Sequence, residues 1–379
     1  MMKKKNLIVF GTRPEAIKMA PLVREFLKDD TFDTKVCVTA QHREMLDQVL
    51  DFFEIVPDYD LNLMKPNQNL YSLTANIIEN MKPVLDEVKP DFVYVHGDTT
   101  TSMAVGIAAF YSGAKICHVE AGLRTFNRQY PFPEEFNRQL TGKIADYHFA
   151  PTSLSNNNLL AENISKENIL VTGNTVIDAL LYGIDKVNSE SFQDTEIEKL
   201  KTILDFQKRI ILVTGHRREN HGEGLIKICS ALKDIAQQNP DVQIIYPVHL
   251  NPNVLKPVHE LLSGIHNIFL VEPLAYPAFI WLMAKSFLII TDSGGIQEEA
   301  PSLGKPVLVT RETTERPEAV EEGTVLLVGT DTEKIIEETE KFLIDPEYYK
   351  NMSQLHNPYG DGKATARIVD YIKNLNHGA

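Results

Sequence analysis

One pattern recurs along the chain: a short β-branched apolar run that stops at Gly, Asp or Thr, then a longer stretch with helical spacing. In the first half the runs are 7–10, 35–39, 92–96, 115–119, 147–150 and 169–172. In the second they are 210–214, 243–248, 268–271, 287–291, 306–310 and 325–328. Runs this uninterrupted have no polar face to offer water. They must be covered on both sides, which is the condition of strands in a parallel sheet flanked by helices. The expected fold class is α/β, with two Rossmann-like doubly wound domains facing across a cleft. The rhythm breaks between Asn174 and Lys208, at the polar stretch Asn188-Ser189-Glu190-Ser191 and a charged helix near 196–201. This gives domains at 1–178 and 179–360, and a closing amphipathic helix in 361–379 expected to pack back on the first domain.

A length of 379 residues suits two such domains with a large core. Lys and Arg number 38 against 52 Asp and Glu, a net charge of −14. No nucleic-acid-binding surface is expected from that balance, although a local basic pocket in an acidic protein would still draw a small anion. Cys37, Cys117 and Cys229 lie far apart with no CxxC pair, which excludes a disulfide framework and a thiolate zinc site of the usual spacing. The positive N-terminal start meets only Leu7-Ile8-Val9-Phe10 before Gly11, too little for an export signal. The longest apolar stretch elsewhere, 278–284, falls far short of the roughly 20 residues of a membrane helix. A cytoplasmic protein with no membrane partner is expected.

Ligands of open parallel sheets bind beyond the carboxyl ends of the strands, so chemistry is sought in the loops that follow the runs. Thr291-Asp292-Ser293-Gly294-Gly295 is a strand end, a small-residue turn and a helix start. Ser293, Gly294 and Gly295 would present backbone N–H groups to a phosphate there. Glu299, one turn on, could accept from ribose hydroxyls. The alternative is a plain tight turn whose acids stabilise the helix. Arg13, Lys18, His216, Arg217, Arg218 and Arg316 supply cations to the same loops and suit a diphosphate, although each alone could be a surface ion pair. Asp98 and Glu120 each follow a buried run. Glu134 sits in Tyr130-Pro131-Phe132-Pro133-Glu134, where two prolines predict a stiff extended loop. Acids gathered in a partly dry cleft spread their pKa values, so that one can donate a proton and another accept one. Asp98 could equally cap the helix that begins at Thr99–Thr101. For nicotinamide or ATP there is no motif: Gly222-Glu223-Gly224 has Lys227 where a third glycine would stand, and GxxxxGK[ST] is absent. HExxH is missing, and His216 and His221 are wrongly spaced for one helical face, so neither a metal nor a cofactor is expected.

Taken together, Phe10-Gly11-Thr12-Arg13-Pro14-Glu15-Ala16, His96-Gly97-Asp98-Thr99, His118-Val119-Glu120-Ala121-Gly122-Leu123-Arg124, Pro133-Glu134-Glu135, Gly215-His216-Arg217-Arg218-Glu219-Asn220 and Asp292-Ser293-Gly294-Gly295 resemble the bacterial non-hydrolysing UDP-N-acetylglucosamine 2-epimerases. The similarity runs from about Leu7 to Arg367. It implies the glycosyltransferase-B architecture, a homodimer, and interconversion of UDP-N-acetylglucosamine (UDP-GlcNAc) with UDP-N-acetylmannosamine (UDP-ManNAc) without added cofactor. The product would supply mannosamine-type sugars for cell-surface polysaccharide. By matching position, the resemblance implies that Arg13, Lys18, Asp98, Glu120 and His216 contact substrate. It also implies Leu274 and Phe279 near the uracil, Ser293, Gly294 and Gly295 at the phosphates, Glu299 at the ribose and Arg316 close by. Its acid/base candidates match Asp98, Glu120 and Glu134, and a second, regulatory pocket matches Gln41 and His249.

The C2 proton of an N-acetylhexosamine has no adjacent carbonyl, so a carboxylate cannot remove it unaided. Departure of UDP from C1 makes that hydrogen acidic, and elimination gives a 2-acetamidoglucal. Proton return on the opposite face and readdition of UDP complete the inversion. In this reading Asp98 and Glu120 handle C2 protons, Glu134 assists or orients, and His216 serves the phosphate. Three rivals stand beside it: a hydrolysing epimerase that shares the cleft and releases UDP and N-acetylmannosamine, a glycosyltransferase of the same architecture, and, from another class, a UDP-sugar sensor without turnover.

Overall fold

Leu7, Ile8, Val9 and Phe10 are at most 1% exposed and form the inner part of strand β1 (Lys4–Phe10), near the centre of a parallel sheet. In the computed structural model, which describes residues 3–39, 43–63 and 68–375, that sheet has seven strands. The others are β2 (Phe32–Val38), β3 (Tyr59–Asp60), β4 (Phe92–His96), β5 (Lys115–Val119), β6 (Tyr147–Ala150) and β7 (Ile169–Val171), in the order β3-β2-β1-β4-β5-β6-β7. The second sheet is formed by β8 (Arg209–Thr214), β9 (Val242–Pro247), β10 (Ile268–Val271), β11 (Leu288–Thr291), β12 (Val307–Val309) and β13 (Val325–Leu327), ordered β10-β9-β8-β11-β12-β13. Every pairing in both is parallel. The α/β class and the two Rossmann-like sheets expected from the apolar runs are present. Strand β3 was not foreseen: its two residues form no apolar run and merely extend the sheet edge beside Cys37 and Val38.

The chain divides into two compact units, residues 1–179 with 359–379, and residues 180–358. The helix Thr175–Val187 runs through the division. In the first unit the closing helix, Ala364–Asn374, is tied down at both ends. Asp178 accepts from the backbone N–H groups of Ala364 and Thr365 at 3.2 and 2.9 Å and from the Thr365 hydroxyl at 2.7 Å. At the other end Lys4 Nζ donates to the carbonyls of Ile372, Lys373 and Leu375 in the last turn, where helical N–H partners run out. Among the described residues no helix is long and apolar enough to cross a membrane.

In both sheets the strand order reverses next to the first strand of the unit, between β1 and β4 and between β8 and β11. Helices on either side of a reversal leave opposite faces, and a crevice opens at the carboxyl ends of the two strands. The loops after β1, β4, β8 and β11 hold most of the polar motifs in the sequence.

Candidate active site

In the first unit Glu15 organises the loop after β1. Thr12 caps the helix Arg13–Leu27, and its hydroxyl accepts from Glu15 N–H at 3.4 Å while the Glu15 carboxylate accepts from Thr12 N–H at 2.8 Å, a reciprocal capping box. The same carboxylate accepts from Gly11 N–H at 3.2 Å, the Thr99 hydroxyl at 2.7 Å and the Ser102 hydroxyl at 3.2 Å. The loops after β1 and β4 are thereby locked together. Full burial pushes the Glu15 pKa up, against the pull of the Thr99, Thr12 and Gly11 bonds. Gly11 is required by close approach, because a Cβ there would collide with the hydroxyls of Thr39 and Thr101.

Glu120 follows β5 in a left-handed conformation, φ 61°, which costs a non-glycine residue roughly 1–3 kcal/mol and points to a held side chain. Its carboxylate is ion-paired with Lys18 of the first helix and accepts from Asn174 Nδ2 at 2.8 Å. His96 Nε2 lies 3.7 Å from the same oxygen. His96 ends β4, and the register that sets it beside Val119 brings it next to Glu120. Both Glu120 and Asp98 act electrostatically on His96, yet burial dominates and lowers its pKa to about 4.

Asp98 does not cap the following helix. Thr99 does, accepting from Ser102 N–H at 3.1 Å, because its hydroxyl is one residue nearer the first turn. The Asp98 carboxylate instead meets the guanidinium of Arg138, and Asn137 Nδ2 donates to the Asp98 carbonyl at 2.9 Å. Arg138 is held in turn by Glu135 at 3.0 Å. Glu135 is fully buried and accepts from the N–H groups of Thr125 and Phe126, each at 3.0 Å. The stretch before Glu134 is not the stiff extended loop expected from its prolines. It closes in turns, with Tyr130 N–H donating to the Asn127 carbonyl at 2.8 Å and the Thr125 hydroxyl to the Tyr130 carbonyl at 2.6 Å. Both prolyl bonds are cis. Glu134 is the half-buried first residue of the helix Glu134–Ile144.

In the second unit Asp292, 1% exposed, ties the loop after β8 to the loop after β11. Its Oδ2 accepts from the N–H groups of His216 and Arg217 at 2.9 and 2.8 Å, and its Oδ1 lies 3.4 Å from His216 Nδ1. Burial lowers the pKa of His216, against the pull of Asp292. The His216 ring stacks on that of His249, centroids 5.6 Å apart. Ser293 precedes the short helix Gly294–Glu299 at its N-cap position, without a side-chain capping hydrogen bond. A methyl group on Gly294 would sit within 4.0 Å of the guanidinium groups of both Arg217 and Arg316, so two cations flank this helix start. Arg316 is itself ion-paired with buried Glu298. Glu299 is buried on the same helix and approaches Gly295. Leu274 lies in the loop after β10 and Phe279 in the helix Tyr276–Lys285, both half-buried.

Of the residues singled out from sequence, the first unit holds Arg13, Lys18, Asp98, Glu120 and Glu134. The second holds His216, His249, Leu274, Phe279, Ser293, Gly294, Gly295, Glu299 and Arg316. Gln41 lies outside the described residues. Lys18, grouped by sequence with the diphosphate cations, is engaged with Glu120. Sequence reasoning missed Glu15, Glu135, Arg138, Asn174, Asp292 and Glu298 as fixed partners of these groups. Thr12-x-x-Glu15 was readable as a capping box. Among the described residues no group of three or more His, Cys, Asp or Glu able to hold a metal is present.

A model of the UDP-N-acetylglucosamine 2-epimerase family matches residues 24–373. The UDP-N-acetylglucosamine 2-epimerase of Escherichia coli O157:H7 is 59% identical over 370 residues, covering 98% of each chain. That of Campylobacter jejuni is 57% identical over 377 residues, again with 98% of each covered. The crystal structure of the UDP-GlcNAc 2-epimerase from Neisseria meningitidis bound to UDP-GlcNAc superposes with a TM-score of 0.89 at 53% identity, covering 98% of this chain and 100% of that one. Strand order, acid and cation clusters and whole-length similarity agree, and the chain belongs to the UDP-N-acetylglucosamine 2-epimerase family.

Proposed function

We propose that this protein interconverts UDP-GlcNAc and UDP-ManNAc by inversion at C2, without an added cofactor, as a cytoplasmic homodimer. The observation that carries the reading is the pair of acids at neighbouring strand ends, Asp98 after β4 and Glu120 after β5, each facing a cation, Arg138 and Lys18. Inversion at a carbon bearing hydrogen needs one group to take a proton from one face and another to return one to the opposite face. Glu120 and Asp98 serve those two faces, and Glu134 assists.

Removal of the C2 proton requires the C1–O bond to break as well. The C2–H electron pair becomes the C1=C2 double bond, and the C1–O pair leaves with UDP. Charge then grows on the diphosphate, where the Ser293–Gly295 turn with Arg217 and Arg316 stabilises it more in the transition state than in the substrate. Arg13 and His216 add donors there, Glu299 serves the ribose, and Leu274 and Phe279 border the uracil. In this reading His249 belongs to a second, regulatory pocket, and its stacking on His216 supports a coupling to the phosphate donors.

Incubation of the pure protein with UDP-GlcNAc in D2O, followed by NMR, tests this. The expected result is UDP-linked GlcNAc and ManNAc carrying deuterium at C2. Free N-acetylmannosamine with UDP would mean the hydrolysing reaction, and unchanged substrate would mean a sensor or a transferase awaiting an acceptor.

A further inference from the structure

Arg311 has no part in the scheme above, yet it is a buried charge in the second unit. It stands two residues after β12, and its side chain is 4% exposed. A guanidinium cannot stay in such a place unpaired. Its Nε donates to Glu219 at 2.6 Å, and its two terminal nitrogens grip Glu315 as a fork at 2.7 and 3.2 Å. Although burial pushes the Glu315 pKa up, the bonds to Arg311 and the charges of Arg311 and Arg217 prevail and hold it at about 2.

Stability is a weak reason to keep this trio. Desolvation offsets much of the Coulombic gain of a buried pair, and apolar residues of similar size often serve as well. Two acids on one base also leave surplus negative charge in the region proposed for an anion. What the trio does is join two loops. Glu219 lies in the turn Arg218–Asn220 that follows Arg217, and Glu315 directly precedes Arg316. Each acid thus stands within two residues of a cation assigned to the diphosphate.

Neighbouring bonds reinforce the same two loops. Asn220 Nδ2 donates to the Thr310 carbonyl at 3.0 Å, which ties the turn to the end of β12 just before Arg311. The Thr314 hydroxyl donates to Gln297 Oε1 at 2.6 Å and seats the second loop against the helix Gly294–Glu299. Arg217 Nε is buried without a hydrogen-bond partner among the described residues, and what is fixed is the backbone around it. Asp292 holds its N–H, and Arg311 holds the turn that follows. We propose that Arg311 is a positioning residue for the diphosphate: without touching it, Arg311 sets the spacing of Arg217 and Arg316 by gripping an acid beside each.

This rests on the diphosphate lying between Arg217 and Arg316. The task suits a guanidinium, whose planar fork fixes the direction of Glu315 while its Nε holds Glu219. A lysine ammonium is a point charge and cannot hold both acids in one geometry. The experiment titrates wild-type protein and Arg311→Lys with UDP and with uridine, which has no phosphate, and records melting temperatures. Arg311→Lys should weaken UDP binding about 10- to 100-fold, the scale of loss that a misplacement of about 1 Å can bring. Uridine affinity should change less than about twofold, and the melting temperature should stay within about 4 °C. In protein that already carries Arg217→Met and Arg316→Met, adding Arg311→Lys should cost less than about twofold more, because no cation is left to place.

Three results overturn the proposal: unchanged UDP affinity in Arg311→Lys, an equal loss for uridine and UDP, or the same loss with and without Arg217 and Arg316. If Arg311→Lys does not fold, Glu219→Gln and Glu315→Gln replace it, both at acids that solvent reaches in part. Each should then weaken UDP about threefold to tenfold with uridine unchanged, and normal UDP affinity in both overturns the proposal. Wild-type protein that binds UDP no more tightly than uridine fails the diphosphate reading itself, a separate result.

Discussion

Replacing Glu120 with Gln is expected to lower kcat by about 10²- to 10⁴-fold, the range that one positioned proton-transfer group supplies. The substitution keeps the shape and a carbonyl oxygen that can still accept from Lys18 Nζ and Asn174 Nδ2, so the left-handed backbone at φ 61° retains its anchors. Only the capacity to take a proton is removed. UDP affinity, measured by titration calorimetry, should change less than about threefold, because the proposed diphosphate donors Arg217, Arg316 and the Ser293–Gly295 turn belong to the other unit. A loss confined to kcat identifies chemistry, whereas a parallel loss of UDP binding and melting temperature would assign Glu120 a purely structural part. Undiminished turnover would remove it from the mechanism.

Acid is expected to unfold the first unit at unusually mild pH. His118 and His148 stand opposite one another on β5 and β6, and His96 lies one residue further along on β4; all three are at most 4% exposed, and burial lowers the pKa values of His96, His118 and His148 to about 4, 3 and 4. In the unfolded chain each titrates near 6.5. A histidine whose folded pKa is depressed contributes stability that is present above the unfolded value and is lost as pH falls below it, because the unfolded state then binds the proton first. Between roughly pH 6.5 and 4 each can remove up to about 1.4 kcal/mol per pH unit, and the three together up to about 4 kcal/mol per unit. Glu15 and Asp178, whose pKa values burial raises, work in the opposite direction and moderate the slope. Urea unfolding at pH 7 and pH 5 measures this. The midpoint should fall steeply at pH 5, and His148→Gln should flatten the dependence. A midpoint unchanged between the two would mean that the three rings are hydrated or charged when folded.

The parallel sheets were legible because buried strands carry continuous apolar runs, as at Leu7–Phe10 and Phe92–Val95, and because each run ends in a turn residue. Asp98 and Glu120 were legible for the same reason: a charged residue directly after a buried strand stands where ligands bind. What holds them was not. Arg138 lies one turn into a helix, where its spacing reads as a solvent face, and only the fold sets it against Asp98, 40 residues earlier. Asn174 reaches Glu120 across 54 residues because β5, β6 and β7 end side by side. His96 reads as the polar end of an apolar run, and its unpaired nitrogen is a property of packing alone. The turn before Glu134 was misread because Pro131 and Pro133 restrict the chain without specifying which way it folds.

The central claim is that the bond between C1 and the diphosphate breaks and re-forms within one bound complex. Substrate carrying oxygen-18 in the C1–O–P bridge tests it directly. During turnover the label should spread from the bridge into the non-bridging oxygens of the β-phosphate, since all three become equivalent in free diphosphate, while no UDP accumulates. Inversion at C2 with the label still wholly in the bridge would contradict the account.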